Sequence, residues 1–337
     1  MEACKKLLEG YDMFCKIILV NWKGTSDTCA CLTSLERTAG IEWCAVVCEN
    51  GSPDNSATEL RAFLAKKYTE RIRPTAEPQV FDYYAENSNI PRVTLVLSPF
   101  NLGFAGGNNL AYHHAPADLK AEFIWFLNND TEVEPDTLLQ MINRMRQDPS
   151  IGICGSTLVY AHDRKTVQAF SGSFYHPWTG FIRSIGNGKT WPCTVDIKAV
   201  EARMSYVSGA SMLVSSEFIN RVGLMCEEYF LYYEEIDWAE RARKAGFRLG
   251  YAPQAVVFHK EGAVLGSGKS TRRSMLAEYY TLLGKLTITR RFFPWALPTV
   301  YLYSLLLILR RYVQGYWTRA NMMVKVLLGF RRTPPET

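Results

Sequence analysis

The chain has 337 residues, room for one large or two modest domains at about 100–200 residues each. Hydrophobic residues make up 47% and charged residues 21%, ordinary globular values that argue against disorder, collagen-like repeats and a polytopic membrane protein. The formal charge of +5 is uneven: residues 261–337 hold 12 Lys/Arg against 3 Asp/Glu, a net of +9, and residues 1–260 carry −4. A uniformly basic nucleic-acid binder would look different, and a basic tail with apolar stretches suggests a membrane surface.

Residues 1–15 lack the continuous apolar core and small-residue cleavage site of a secretory signal. Lys16–Val20 and Ala45–Cys48 read as short apolar strands, the second closing on the turn cluster Asn50-Gly51-Ser52-Pro53-Asp54. Ser56-x-x-Glu59 has the form of a capping box opening a helix. Val93–Leu97 is a third strand, feeding the Gly-rich segment Asn101–Asn109 and a helix. Phe123–Leu127 is apolar on both faces, as a central parallel strand is, and Pro135 suits the first turn of the next helix. This alternation predicts an α/β fold with a mostly parallel sheet.

Beyond residue 150, Ile151–Tyr160 and Tyr206–Val214 read as strands, residues 234–246 as a helix stopped by Gly246, and Val256–Phe258 as a strand ending at His259. From Met275 the chain is helical, basic and apolar. Phe292–Leu309 has no charge over 18 residues, near the transmembrane length of about 20, but Pro294 and Pro298 interrupt it. An interfacial or re-entrant helix is the first reading and a single span the second. The nine cysteines form no Cys-x-x-Cys pair, which argues against a zinc ribbon or thioredoxin-like motif, and the Ile, Val, Phe or Trp beside most of them suits reduced, buried thiols in a cytosol.

Four segments carry chemistry. Leu127-Asn128-Asn129-Asp130 ends an apolar strand, where open α/β sheets bind ligands. Asn101-Leu-Gly-Phe-Ala-Gly-Gly-Asn-Asn109 combines glycines that admit a ligand to the backbone with amides that bond hydroxyls. It is not a dinucleotide fingerprint, because its spacing is Gly103-x-x-Gly106-Gly107, which argues against a nicotinamide-dependent oxidoreductase. Glu234, Glu235 and Asp237 cluster at a helix start, where the dipole, mutual repulsion and burial oppose each other and can poise a base. His259 gains meaning if the fold brings it to Asp130, making a carboxylate–imidazole pair for Mg²⁺ or Mn²⁺. Gly266–Ser270 imitates the end of a P-loop, but Ala263 stands where that pattern needs Gly, so a flexible lid-like loop is expected.

Together these segments resemble the family 2 inverting glycosyltransferases, especially their rhamnosyltransferase-like branch. The resemblance rests on Val20-Asn21-Trp22, Glu49-Asn50-Gly51-Ser52-x-Asp54, NLGFAGGNN, LNNDTEVEPD and FLYYEEIDWAERARKAG followed by Phe258-His259, in one order over roughly residues 15–262. It implies a GT-A fold over residues 1–262, with 1–130 mainly for the nucleotide sugar and 131–262 mainly for the acceptor. Residues 263–337 would form a helical, membrane-associating tail.

The resemblance further implies a metal-dependent, inverting transfer of a hexose from a nucleoside-diphosphate donor. It makes Asp130 and His259 the metal ligands and Glu235 the base, with Asp237 as runner-up and Glu234 beside them. Asn128 stands where many relatives have Asp, and Glu235 where relatives usually have Asp. Asn21, Glu49, Asn50, Asn101, Gly103, Asn108, Asn128 and Asn129 would line the nucleotide-sugar side, with the Asn50 amide oxygen offered to a pyrimidine N3–H. The loop type favours dTDP-rhamnose, with UDP-sugars also open. The acceptor would be a glycan or a polyprenyl-diphosphate-linked lipid, in cell-surface polysaccharide synthesis at the cytoplasmic face of the plasma membrane. Residues 275–332 would touch that membrane, and nucleic acid is not expected as a partner. The two departures leave one alternative, a catalytically degenerate scaffold that binds sugar nucleotides.

Overall fold

The computed structural model describes residues 14–75, 77–117, 119–260 and 274–330. The lid-like loop expected at Gly266–Ser270 lies outside these residues. The first half alternates strand and helix: β1 (Phe14–Asn21), α1 (Thr25–Leu35), β2 (Glu42–Glu49), α2 (Ser56–Ala65), β3 (Thr69–Arg73), β4 (Gln79–Tyr84), β5 (Pro91–Leu97), α3 (Gly103–His114) and β6 (Phe123–Leu127). Then come β7 (Thr131–Val133), α4 (Thr137–Gln147), β8 (Ile151–Tyr160), β9 (Val167–Phe170), β10 (Gly172–His176), β11 (Phe181–Ser184), α5 (Ile197–Arg203), β12 (Tyr206–Val207), β13 (Ser211–Ser215) and α6 (Ser216–Val222). The chain continues with α7 (Glu234–Lys244), β14 (Arg248–His259), α8 (Met275–Phe292), α9 (Leu297–Val313) and α10 (Trp317–Leu327).

The large sheet has the order β3-β4-β5-β2-β1-β6-β13-β8-β14-β7, with β9 on β8; β10, β11 and β12 form a small second sheet. Period-two alternation feeds two cores. Ile17, Leu19, Val47 and Trp125 point to one face, covered by α1, α2 and α4. Ile18, Val46, Ile124 and Phe126 point to the other, covered by α3, α6 and α7. Strands buried on both faces need continuous apolar runs, which is why Phe123–Leu127 carries no polar residue.

The expectation of a mostly parallel sheet needs correction: the sheet is mixed. Strands β5, β2, β1 and β6 run parallel, as does the β8–β14 pair. The pairs β6–β13, β13–β8, β7–β14, β4–β5 and β3–β4 are antiparallel. Strand β13 enters beside β6 without the crossover helix that parallel pairing needs. The single strand expected over Tyr206–Val214 is likewise two: β12 pairs with β10 in the small sheet, and after a turn at Ser208–Ala210, β13 joins the large one. The capping box expected at Ser56 does not form, because the Asp54 carboxylate takes the Ser56 N–H at 3.0 Å.

The tail is helical, but Phe292–Leu309 is not one helix. It breaks at a short 3₁₀ turn, Pro294–Ala296, where the proline ring forbids continuation. Among the described residues, no helix is long and apolar enough to cross a membrane. Helix α8 instead packs on the body: Ile288 sits with Tyr175, Tyr229, Tyr233 and Ile236, and Tyr280 stacks on Phe230 at 4.8 Å between ring centres.

The glycine-rich segment is mostly helix, since α3 already starts at Gly103. Gly103 has φ +74°, and a Cβ there would lie 2.1 Å from the Phe230 carbonyl oxygen. That carbonyl accepts the Phe104 N–H at 2.8 Å. Gly103→Ala combines a left-handed backbone with a backbone collision, so it should lower unfolding free energy by more than about 2 kcal/mol in urea titration. A loss below about 0.5 kcal/mol, the usual scatter of neutral changes, would refute the close approach.

Candidate active site

The β6–β13 pairing sets the site. Because β13 runs antiparallel to β6, its entering turn arrives at the edge where β6 ends, and Asn128 N–H donates to the Ala210 carbonyl at 3.1 Å. The neighbouring Gly209 N–H donates to Glu235 Oε1 at 3.2 Å. A residue at the start of α7 is thereby held beside the carboxyl end of β6.

Across that edge, the β14–β7 ladder places His259 opposite Thr131, one residue past Asp130. Their side chains meet, with His259 Nε2 3.2 Å from Asp130 Oδ1 and both largely buried. His259 Nδ1 lies 2.8 Å from Gln168 Oε1, an oxygen that can only accept. With Nδ1 donating to that oxygen, Nε2 faces the Asp130 carboxylate, where a proton or a cation can sit between the two. Their spacing matches the roughly 3 Å expected of adjacent ligands at about 2.1 Å from one octahedral ion. The pair thus fits two corners of a divalent-cation shell. Among the described residues, no group of three or more His, Cys, Asp or Glu could hold a metal, so this pair is what they offer an ion. Burial works against ionisation of Asp130, but His259 and Lys260 outweigh it and hold the carboxyl below its ordinary range.

The acidic helix start divides into three environments. Tyr232 and Tyr233 both take left-handed backbone, φ +68° and +75°, a strained entry of about 1–3 kcal/mol per residue. Glu234 is only 2% exposed, and its Oε2 finds no hydrogen-bond partner among the described residues. Burial, then the neighbouring charge of Glu235, pushes its carboxyl well above the usual range. Glu235 is half-buried, and burial raises its carboxyl too, against the opposing pull of backbone N–H groups. Asp237 is fully buried in an ion-pair network: Arg241 Nε at 2.6 Å, Arg291 Nη1 of α8 at 3.1 Å and the Tyr229 hydroxyl at 3.4 Å. It anchors the tail helix to α7, whereas Glu235 forms no ion pair among the described residues.

Most of the amides expected on the donor side brace the backbone. Asn50 Nδ2 donates to Asn101 Oδ1 and the Gly103 carbonyl, and Asn50 Oδ1 accepts the Leu102 N–H at 3.0 Å. The oxygen offered to a pyrimidine is thus engaged in the loop. Asn101 Oδ1 accepts the Gly103 N–H, and Asn108 Nδ2 donates back to the Phe104 carbonyl within α3. Glu49 accepts the Ser52 N–H, and Asn129 Nδ2 donates to Thr28 Oγ1. Asn21 Oδ1 accepts the Thr28 hydroxyl, but its buried Nδ2 finds no partner among the described residues. Asn128 Nδ2 lies 3.5 Å from His259 Nε2, beside the candidate cation corner. Gln168, Gly209 and Arg291 escaped the sequence reading. Each acts through a long-range contact that leaves no local spacing signal.

The profile of glycosyl transferase family 2 matches residues 17–201, just over half of the chain. The chain belongs to that family. This family 2 chain is 24% identical over 160 residues to N-acetylglucosaminyl-diphospho-decaprenol L-rhamnosyltransferase of Mycobacterium tuberculosis, covering 43% of this chain and 49% of that one. It is 30% identical over 165 residues to rhamnosyltransferase WbbL of Escherichia coli K12, covering 47% and 60%. It spans about half the length of most of the curated relatives it matches. Its fold is similar to that of mannosyltransferase PcManGT from Pyrobaculum calidifontis, solved with GDP-Man and Mn²⁺, at TM-score 0.52 and 14% identity over 96% of this chain and 90% of that one. The family 2 chain is rhamnosyltransferase-like, with a GT-A-like α/β fold built on a mixed sheet.

A carboxyl that ionises more easily unfolded than folded costs stability as pH rises above its unfolded value. Glu234→Gln removes that cost. Its gain in unfolding free energy should be absent near pH 4 and grow as pH rises above the ordinary carboxylate range, at up to about 1.4 kcal/mol per pH unit. A pH-independent difference in thermal or urea unfolding would contradict the raised Glu234.

Proposed function

We propose that this family 2 chain transfers a hexose, with rhamnose favoured, from a nucleoside-diphosphate donor to a hydroxyl acceptor with inversion at the anomeric carbon. The observation that carries this reading is the meeting of the Asp130–His259 pair and the Glu235 carboxylate at one sheet edge, where β6 is flanked by parallel β1 and antiparallel β13. Inversion needs one in-line displacement: a base on the acceptor side and positive charge on the leaving-group side.

Glu235 serves as the base. Its carboxylate takes the acceptor hydroxyl proton as the new C1–O bond forms and the C1–O bond to the diphosphate breaks. Burial raises its affinity for that proton, and the Gly209 N–H fixes one of its oxygens, leaving the other for the acceptor. Asp130 and His259 would hold a Mg²⁺ or Mn²⁺ ion, which when bound supplies the charge that stabilises the departing diphosphate. Gln168 orients the imidazole for that task. The donor reading, dTDP-rhamnose ahead of UDP-sugars, is supported by the rhamnosyltransferase relatives. The name of the M. tuberculosis relative supports a polyprenyl-diphosphate-linked acceptor.

Glu235→Gln should leave nucleotide affinity unchanged and lower kcat by about 10²–10⁴, the usual worth of a positioned base. Loss of less than about tenfold in single-turnover transfer would move the base elsewhere. Asp130→Ala should abolish the Mn²⁺-dependent part of dTDP or UDP binding in titration calorimetry while leaving the metal-free affinity intact. Equal Mn²⁺ enhancement in wild type and variant would remove Asp130 from the cation site.

A further inference from the structure

Helix α9 is apolar on both sides. Its inward side buries Val300, Ser304 and Ile308, with Tyr301, Leu307 and Tyr312 partly buried against the core of the tail. Its outward side carries Leu302, Leu305, Leu306, Leu309 and Val313, which are 49–89% exposed. A surface helix of a globular body turns polar residues, not a second row of leucines, to the outside. The outward residues recur at i, i+3, i+4, i+7 and i+11, so they form one stripe along a helix of about 25 Å. Continuous apolar stripes of this kind mark interaction surfaces. Trp295 and Trp317 flank the stripe and are 51% and 63% exposed, the placement that indole rings take at a membrane–water boundary.

Charge selects the occupant. Residues 275–330 hold seven Lys/Arg and one acid, Glu278; Arg291, Arg311 and Arg319 are held in ion pairs and Lys285 is buried, which leaves Arg290, Arg310 and Lys325 exposed. Glu278 is turned inward and paired with Arg311 and Arg319, so these helices offer no acidic side chain to the outside. A second copy of the chain seated on this stripe would bring the same cationic ends against it. An anionic lipid surface brings apolar depth for the leucines and opposite charge for the arginines. Because α9 has only 17 residues and no described helix is long and apolar enough to cross, the helix lies in the plane of the surface.

We propose that the outward face of α9 docks on an anionic lipid bilayer, leucine stripe inserted and arginines at the headgroups. This inference is independent of the reaction proposed above. It gives the Arg291–Asp237 ion pair a further meaning, since α8 joins the docked helix to the acidic helix start of α7.

The test is co-sedimentation of the full chain with phosphatidylcholine vesicles, with and without phosphatidylglycerol. Wild type should bind the phosphatidylglycerol vesicles at least about tenfold more strongly than pure phosphatidylcholine. The exposed double substitution Leu305→Glu/Leu309→Glu should weaken that binding by about tenfold or more while its melting temperature and nucleotide affinity stay at wild-type values. Absence of wild-type binding, or equal binding by the double variant, would overturn the proposal. So would a wild-type dimer in sedimentation equilibrium without vesicles that the same substitutions dissociate, because the stripe would then be a contact between copies. Nucleotide affinity measured on the same samples separates failure of docking from failure of the transferase reading.

Discussion

The structure depends on the place where the sheet changes direction. Strand β6 pairs in parallel with β1 on one side and antiparallel with β13 on the other. A parallel neighbour brings only its own carboxyl end to that edge. An antiparallel neighbour brings its amino end and the turn before it, so residues far apart in sequence are delivered to one line. Asn128 and Asp130 come from the end of β6, Gly209 from the entrance to β13, and His259 from the last position of β14. The apolar run Phe123–Leu127 fills this position on both faces, and its one side-chain polar group, the Trp125 indole N–H, donates to Ser211 Oγ of β13 at 3.0 Å.

The acidic residues around that edge show how one helix start holds three chemistries. Asp237 is enclosed by two guanidinium groups, so its charge is neutralised and structural. Glu234 has no such partner among the described residues, and burial pushes its carboxyl well above the usual range. Glu235 lies between these extremes, half-buried with one backbone donor. The left-handed tyrosines before the helix are the conformational cost of presenting all three in four positions. Strain of this kind persists only where surrounding packing over-determines it, and Ile288 and Tyr280 of α8 supply part of that packing.

Much of the fold was legible because apolar runs and helix signals are local. The strands at Lys16–Val20, Ala45–Cys48, Val93–Leu97 and Phe123–Leu127 all lie within observed strands, as does the helix at residues 234–246 apart from its last two residues. Strand direction was not legible: nothing in Ser211–Ser215 itself says that it pairs antiparallel with β6. The hairpin of β3 and β4 was missed because Thr69–Arg73 alternates charges and carries one aliphatic residue. At the site, residue types at strand ends pointed to Asp130 and His259, which do meet. The asparagines were legible as a cluster but not in their use. An amide that bonds a ligand and an amide that braces a loop have the same spelling, and only three-dimensional neighbours distinguish Asn50 and Asn108, which brace, from Asn21, whose buried donor has no partner among the described residues.

The close approach of Gly103 to Phe230 joins the two halves of the site through one backbone hydrogen bond. Asn109 of the same helix adds a second tie, donating to the Met225 carbonyl and to Glu227. The entrance to α3 and the segment leading into α7 are therefore tied by hydrogen bonds at two places. Free energy exchanged across such a joint is reciprocal. Whatever factor an occupant of the α3 side imposes on affinity at the α7 side is returned unchanged in the other direction. Order of addition can alter the rates at which the two sides fill, but not the affinity of the doubly filled state.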